Sequence, residues 1–239
     1  MSVIDTIKQC RKVVITGGVA VGKSSIMDAV ANTFKANDMQ YHVVPEFINA
    51  MDDAQEMLEK YLQHDITSFE FQQYVLNYYD WYFTNKCSNI HADDILLFER
   101  VLDDSVMCFA NLDNYNDELS DEEFVNVFKL AKKINAKYNI PSYFANNNFV
   151  FYPIKTINPV VDGKVITEIV KACENVNLVI GLYNEPTTCY ERMLKRNRPG
   201  EKEAYPPQRI SSFSDTYSKI YQVLMTEKKT RFADVGKFI

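Results

Sequence analysis

The 239-residue sequence predicts a doubly wound α/β fold, a parallel sheet of about five strands with helices on both faces. Three observations carry this expectation. Short β-branched or apolar runs alternate with segments of helical periodicity. The first run breaks at a glycine-rich turn that leads straight into a helix. Ile95-Leu96-Leu97-Phe98 is apolar without interruption, which suits a central parallel strand covered on both faces.

The elements follow in order. Val13 to Thr16 reads as a buried strand, and Ile26, Met27, Val30 and Phe34 recur at helical spacing from Lys23 to about Lys35. A second strand, Tyr41 to Val44, stops at Pro45, which cannot donate to a ladder. Helices are expected over about Asp52 to Gln63 and Thr67 to Lys86, and a further helix from about Val101 to Phe109 follows the apolar strand. Ser120 to Glu123 has the form of a capping box and opens a helix that ends before Pro141. Residues 146–161, rich in asparagine and proline, read as an irregular insertion with room for one strand. Then come a helix around Val165 to Glu174, a strand from Leu178 to Leu182 and a helix from about Pro186 to Arg196. A loop to Pro207, a helix to about Met225 and a last strand near Phe232 to Val235 complete the reading. Right-handed crossovers between such strands build one sheet, and no repeat or domain boundary interrupts residues 1–239.

Hydrophobic residues make up 46% and charged residues 24%, enough for a sizeable core. The net charge of −6 argues against nucleic acid as the main partner but leaves room for a small phosphorylated ligand in a local basic pocket. Five scattered cysteines without a Cys-x-x-Cys pair argue against a disulfide framework or zinc site and favour a reducing compartment. No apolar run reaches membrane-span length and the N-terminus lacks a signal-peptide stretch, so a cytoplasmic protein with no membrane partner is expected.

Gly17-Gly18-Val19-Ala20-Val21-Gly22-Lys23-Ser24 fits Gly-x-x-x-x-Gly-Lys-[Ser/Thr]. Glycines let backbone N–H groups approach phosphate oxygens, and the following helix adds its positive N-terminal end. Lys23 is placed to reach the β- and γ-phosphates of ATP and the Ser24 hydroxyl to ligate Mg²⁺, with Ser25 beside them. Roughly 0.01 such matches are expected by chance in a chain of this size, given ordinary residue frequencies. The alternative is a plain glycine turn between strand and helix.

A phosphate-binding loop signifies only a nucleoside triphosphate, and other constellations must narrow the class. Glu46 lies just past a strand end, where a ligand crevice is expected and a carboxylate can take the proton of an attacking hydroxyl. A solvated strand-end acid explains it equally. Glu99-Arg100 ends the apolar strand: the acid can hold Mg²⁺ and the base can meet substrate or phosphate oxygens, unless the two form an ion pair capping the next helix. Arg192 and Arg196 share one helical face and Arg198 follows, which suits an arginine-rich lid over a transferring phosphoryl group or a solvated basic helix end.

Taken in order, the glycine loop, Pro45-Glu46, Phe71-Gln72-Gln73-Tyr74-Val75, Glu99-Arg100 and Arg196-Asn197-Arg198 resemble the deoxynucleoside kinase family, over about residues 10–112 and 176–225. The resemblance implies that Glu46 is the general base, with Arg100 beside it and Glu99 near Mg²⁺. It implies that Phe71 and Gln72 meet the base, with Gln72 reading its Watson–Crick edge. Tyr61 and Glu201 share the sugar 3′-hydroxyl, and Arg192, Arg196 and Arg198 form the lid. It further implies a homodimer. Tyr79 stands at a variable base-pocket position, and thymidine is the first acceptor expected because the Phe-Gln-x-Tyr-Val run looks most like thymidine-accepting members. The chain departs from the family at Phe47, Val101 and Pro199-Gly200, and residues 113–160 find no counterpart in it.

The function expected is ATP-dependent phosphorylation of a deoxynucleoside 5′-hydroxyl in nucleotide salvage. A nucleoside monophosphate kinase would need basic residues for the acceptor's own phosphate, where this chain places Glu46. A regulatory ATPase, a nucleotide switch or a retired homologue are the other readings. A GTPase is disfavoured because Asn85-Lys86-Cys87-Ser88 has serine where the guanine-reading aspartate belongs.

Overall fold

Arg11–Gly17 (β1) lies at the centre of a parallel sheet that also contains Tyr41–Val44 (β2), Ile95–Glu99 (β3), Phe149–Lys155 (β4) and Asn177–Tyr183 (β5). The computed structural model describes residues 2–144, 149–156, 163–173 and 176–227. Among them the strand order is β2-β3-β1-β5-β4, with every pairing parallel. The doubly wound α/β expectation therefore holds; β3 is buried along its length, and β1 is buried at every residue but Arg11.

Register decides where the site lies. Ile15 pairs with Glu99, Val44 with Phe98, and Gly17 with Leu182. The carboxyl ends of β1, β2 and β3 are thus level, so Gly17, Glu46 and Glu99-Arg100 emerge along one sheet edge. A ligand crevice is expected there in open α/β sheets.

Helices α2 (Lys23–Ala36), α3 (Ala54–Leu62), α4 (Ser68–Lys86), α8 (Gly163–Cys173), α9 (Pro186–Arg196) and α11 (Pro207–Glu227) fall within a few residues of their expected bounds. The helix expected over Val101 to Phe109 runs further. It passes from α5 (Leu102–Asp104) through a π-helical stretch, Ser105–Ala110, into α6 (Asn111–Tyr115). Helix α7 (Asp121–Tyr138) starts at the expected capping box: Ser120 accepts from the Glu123 N–H and Glu123 accepts from the Ser120 N–H. It packs on α4, with Tyr138 and Phe83 rings 4.5 Å apart.

Three elements were not foreseen, the first being the 3₁₀ turn Phe47–Asn49 after β2. Val3–Gln9 forms α1, too short for periodicity to reveal, and its last carbonyls are capped by Lys12 from β1. The Lys12 ammonium donates to Ile7 O and Cys10 O, each at 2.7 Å. Glu201–Ala204 forms α10 inside the expected loop. The strand for which residues 146–161 left room is β4. Pro153 sits inside it and is tolerated because, among the described residues, β4 is an edge strand. Helix α7 and strand β4 bury their apolar faces in the main core cluster, so these two described elements of the expected insertion are part of that core. The strand expected near Phe232 to Val235 lies outside the described residues. No helix among them is long and apolar enough to cross a membrane.

Candidate active site

The glycine loop connects β1 to α2. Gly22, the N-cap of α2, is left-handed at φ 108°, and no side chain caps this helix or places an acid in its first turn. Helices α1, α4 and α7 begin with capping boxes, whereas α2 leaves its first N–H groups open to an anion. Val19, Ala20, Gly22, Lys23, Ser24 and Ser25 line a cavity of about 300 Å³. Gly17, Gly18 and Val21 instead turn carbonyls to the supporting side chains: Arg100, Lys23 and Thr156 respectively. Gly17 has φ 146°, and a Cβ there would stand 2.5 Å from Leu182 O on β5. Gly17→Ala is expected to destabilise the fold by about 1–3 kcal/mol, read by urea unfolding, because backbone rather than a flexible side chain must yield.

Lys23 is buried and donates to Gly18 O at 3.1 Å. Burial, reinforced by Arg100 and Arg196 and opposed by Glu46 and Glu99, lowers its pKa to about 8. A phosphate placed beside it would favour the charged ammonium and raise the pKa again. ADP binding near pH 8 is therefore expected to take up protons in calorimetry run in two buffers of different ionisation enthalpy. Lys23→Met should abolish that uptake.

At the sheet edge, Arg100 adopts a left-handed backbone, φ 71°. Its Nε donates to Glu46 Oε1 at 2.6 Å, and its Nη1 donates to Gly17 O and to the Tyr217 hydroxyl, both at 2.8 Å. The guanidinium lies 5.0 Å from the centre of the Phe109 ring. Of the alternatives for Glu99-Arg100, the local capping pair is not what forms. Arg100 reaches across to β2's end, and Asp104 takes the Val101 N–H.

Burial pushes the Glu46 carboxyl up, but Arg100 and Lys23 pull it down further, to about 2. Glu99 moves the other way, raised by burial and by the charge of Glu46. Two carboxyls on one edge thus take opposite shifts, a pattern found where acid and base roles are separated. Behind them, the buried Asp104 accepts from Thr16 and Tyr143, both at 2.7 Å.

Helix α9 and the turn after it bring Arg192, Arg196, Arg198 and Glu201 to the same cavity. Arg196 grips Glu201 with two bonds, 2.6 Å and 3.2 Å, and Arg198 stands 3.9 Å from the same carboxylate. Arg192 donates to Val21 O at 3.2 Å, which ties the lid to the phosphate loop. The basic helix end is therefore turned inward on the site.

On the opposite wall lie Phe71, Gln72 and Tyr79 of α4, with Phe47, Ile48, Leu58 and Val75 completing an apolar side. Phe71 is stacked on Tyr61 at 4.5 Å and meets Phe47 edge-on at 5.8 Å. Tyr61 itself is not among the lining residues. Its hydroxyl is drawn away to Asp113 of α6, at 3.0 Å, and accepts from Arg209 at 3.2 Å. Gln72 is buried; its Nε2 donates to Asp113 Oδ2 at 3.2 Å, while its Oε1 has no hydrogen-bond partner among the described residues. A buried carbonyl oxygen without a donor in a cavity wall is free to accept one further hydrogen bond.

Sequence reading missed Asp113, Arg209, Tyr217, Phe109 and Thr156. Asp113, Arg209, Tyr217 and Thr156 stand in no local pattern and join the site through contacts distant in sequence. Phe109 alone carried a signal, as the last residue of the helix expected after Arg100.

The family model for deoxynucleoside kinases matches residues 13–161. In structure the chain is similar to a deoxyadenosine kinase from M. mycoides solved with bound dATP. The TM-score is 0.57 at 16% identity, over 96% of this chain and 93% of that one. Among curated proteins none matches the sequence. The fold is that of this structure, the family match spans more than half the chain, and the protein belongs to the deoxynucleoside kinase family.

Proposed function

We propose that this deoxynucleoside kinase transfers the γ-phosphoryl group of ATP to the 5′-hydroxyl of a deoxynucleoside. The observation that carries the proposal is the composition of one cavity. Its phosphate side holds an uncapped helix N-terminus, Lys23 and three arginines, and its acceptor side holds the ionised Glu46 and the unpaired Gln72 Oε1.

In this reading Glu46 orients the 5′-hydroxyl and accepts its proton, and Arg100 holds the carboxylate in place. Lys23 and the lid arginines, Arg192, Arg196 and Arg198, stabilise charge on the transferring group. Most of the rate gain is positioning and electrostatics. Ser24 and Glu99, both lining the cavity, offer the few hard oxygen donors that Mg²⁺ needs when phosphates and waters complete its shell, and the ion would neutralise phosphate charge there. Phe71, Gln72 and Tyr79 receive the base. Glu201 receives the sugar 3′-hydroxyl, and Tyr61 joins it when its hydroxyl leaves Asp113. Thymidine is the acceptor to assay first. Nucleotide salvage, a cytoplasmic location and a homodimer complete the proposal.

The acceptor side presents Glu46 where a nucleoside monophosphate kinase needs cations for the acceptor's phosphate. Incubation with ATP, Mg²⁺ and a mixture of deoxynucleosides, followed by chromatography, should yield 5′-monophosphates. ATP hydrolysis without such a product would leave the chain a nucleotide-binding ATPase.

A further inference from the structure

We propose that Asp113 fixes the sense of the Gln72 amide, and with it the class of base that the cavity accepts. That class is either amino-bearing (adenine and cytosine) or keto (guanine and thymine), and it is the same class among purines as among pyrimidines. The inference rests on the acceptor being a deoxynucleoside.

A free glutamine amide can turn over by 180°, exchanging its carbonyl oxygen and its NH₂ group. Gln72 cannot do so at equal energy. The Asp113 carboxylate beside it only accepts hydrogen bonds, and it is fully buried. It is held from the other sides by Ser68 at 2.6 Å, Arg209 at 2.9 Å and Tyr61 at 3.0 Å. Turning the Gln72 amide would exchange a charge-assisted hydrogen bond for an oxygen–carboxylate repulsion inside the protein. Charge therefore fixes Nε2 toward Asp113 and leaves Oε1 and the second N–H of Nε2 for a ligand.

The Watson–Crick edges of the bases differ in order. Adenine and cytosine present an exocyclic donor next to a ring acceptor, and guanine and thymine present an exocyclic acceptor next to a ring donor. With the sugar anchored, the exocyclic and ring positions of purine and pyrimidine fall at corresponding places. An amide of fixed sense then matches one order and opposes the other, at a cost of about tenfold or more. An amide free to turn would accept both. Asp113 acts here as a positioning residue, through Gln72.

Asp113→Asn supplies the test. Arg209 can only donate, so the carbonyl of the new side chain stays on the Arg209 side and its NH₂ group replaces Oδ2. A donor then faces Gln72, and the Gln72 amide turns over. The measurement is kcat/KM for deoxyadenosine, deoxyguanosine, deoxycytidine and thymidine in wild type and Asp113→Asn, with thermal unfolding to confirm the variant's fold. In wild type, the deoxyadenosine/deoxyguanosine and deoxycytidine/thymidine ratios are expected to depart from one by about tenfold or more, in the same direction. In the variant both ratios move by about tenfold toward the opposite class, a change that a structural role alone would not produce.

Wild-type ratios on opposite sides of one, or close to one, would overturn the inference even if the variant does not fold. So would a folded variant with unchanged ratios. If no deoxynucleoside is phosphorylated, the kinase reading falls, and calorimetric affinities for the four deoxynucleosides carry the same comparison.

Discussion

Glu46→Gln is expected to lower kcat by about 10²–10⁴-fold while leaving the deoxynucleoside KM within a few-fold, the range for loss of a positioned general base. Glutamine keeps the size of the side chain and can still accept from Arg100, but it cannot accept a proton. Held near 2, Glu46 is a weak base toward a free alcohol. In a loose phosphoryl-transfer transition state the hydroxyl becomes acidic only as its bond to phosphorus forms, so a carboxylate kept ionised and aimed is what the reaction requires. The same shift predicts that deprotonation of Glu46 imposes no acid limb on kcat/KM near neutral pH. The folded-state pKa lies below the ordinary 4.5, so the stabilisation from Glu46 is present above that value and is lost as pH falls toward 2. Steady-state kinetics checks the first claim. An unchanged kcat would remove Glu46 from the chemistry.

Arg100→Met is expected to cost about 3–5 kcal/mol of stability and nearly all activity, since removing one member of a buried ion pair strands the other. Arg100 is 7% exposed and binds three groups from three elements: Glu46 after β2, Gly17 at the end of β1 and Tyr217 on α11. Its loss leaves Glu46 as an unpaired acid under burial, the influence that raises its pKa. The variant's deficit in urea unfolding should therefore shrink between pH 7 and pH 4, as folded Glu46 takes up a proton and the buried charge disappears. A deficit under 1 kcal/mol, or one independent of pH, would mean that the pair contributes little. Arg100→Lys should recover part of the stability and little of the activity, because an ammonium on a flexible stem cannot hold three acceptors in one fixed fork.

These two residues show what was legible in the chain. The glycine loop could be read outright, since its function depends on local spacing from Gly17 to Ser24. Glu46 and Arg100 could be suspected, because each follows a strand end. Their 2.6 Å contact, however, depends on the parallel register of β2, β3 and β1, which no local pattern states. The lid arginines were ambiguous with a solvated helix end until α9 was seen to face the loop.

Asp113 was invisible for a physical reason. An aspartate near the end of a short helix looks like a solvated residue, and only Ser68, Gln72, Tyr61 and Arg209, arriving from α3, α4 and α11, make it a buried anion. Strand β4 was obscured by Pro153 and its asparagine-rich approach, since edge strands tolerate residues that a central strand excludes. Helix α1 has only Ile7 as a buried residue and too few turns for a period to emerge.

The central claim is that the acceptor side of the cavity takes a neutral hydroxyl and not a phosphate. Transfer from γ-labelled ATP with Mg²⁺, offered thymidine, the other three deoxynucleosides and thymidine 5′-monophosphate in parallel, tests it most directly. The account predicts label in deoxynucleoside 5′-monophosphates, and none in the diphosphate. Label found only in thymidine 5′-diphosphate would contradict it, because an ionised Glu46 at 2.6 Å from Arg100 would then stand where the acceptor's phosphate must bind.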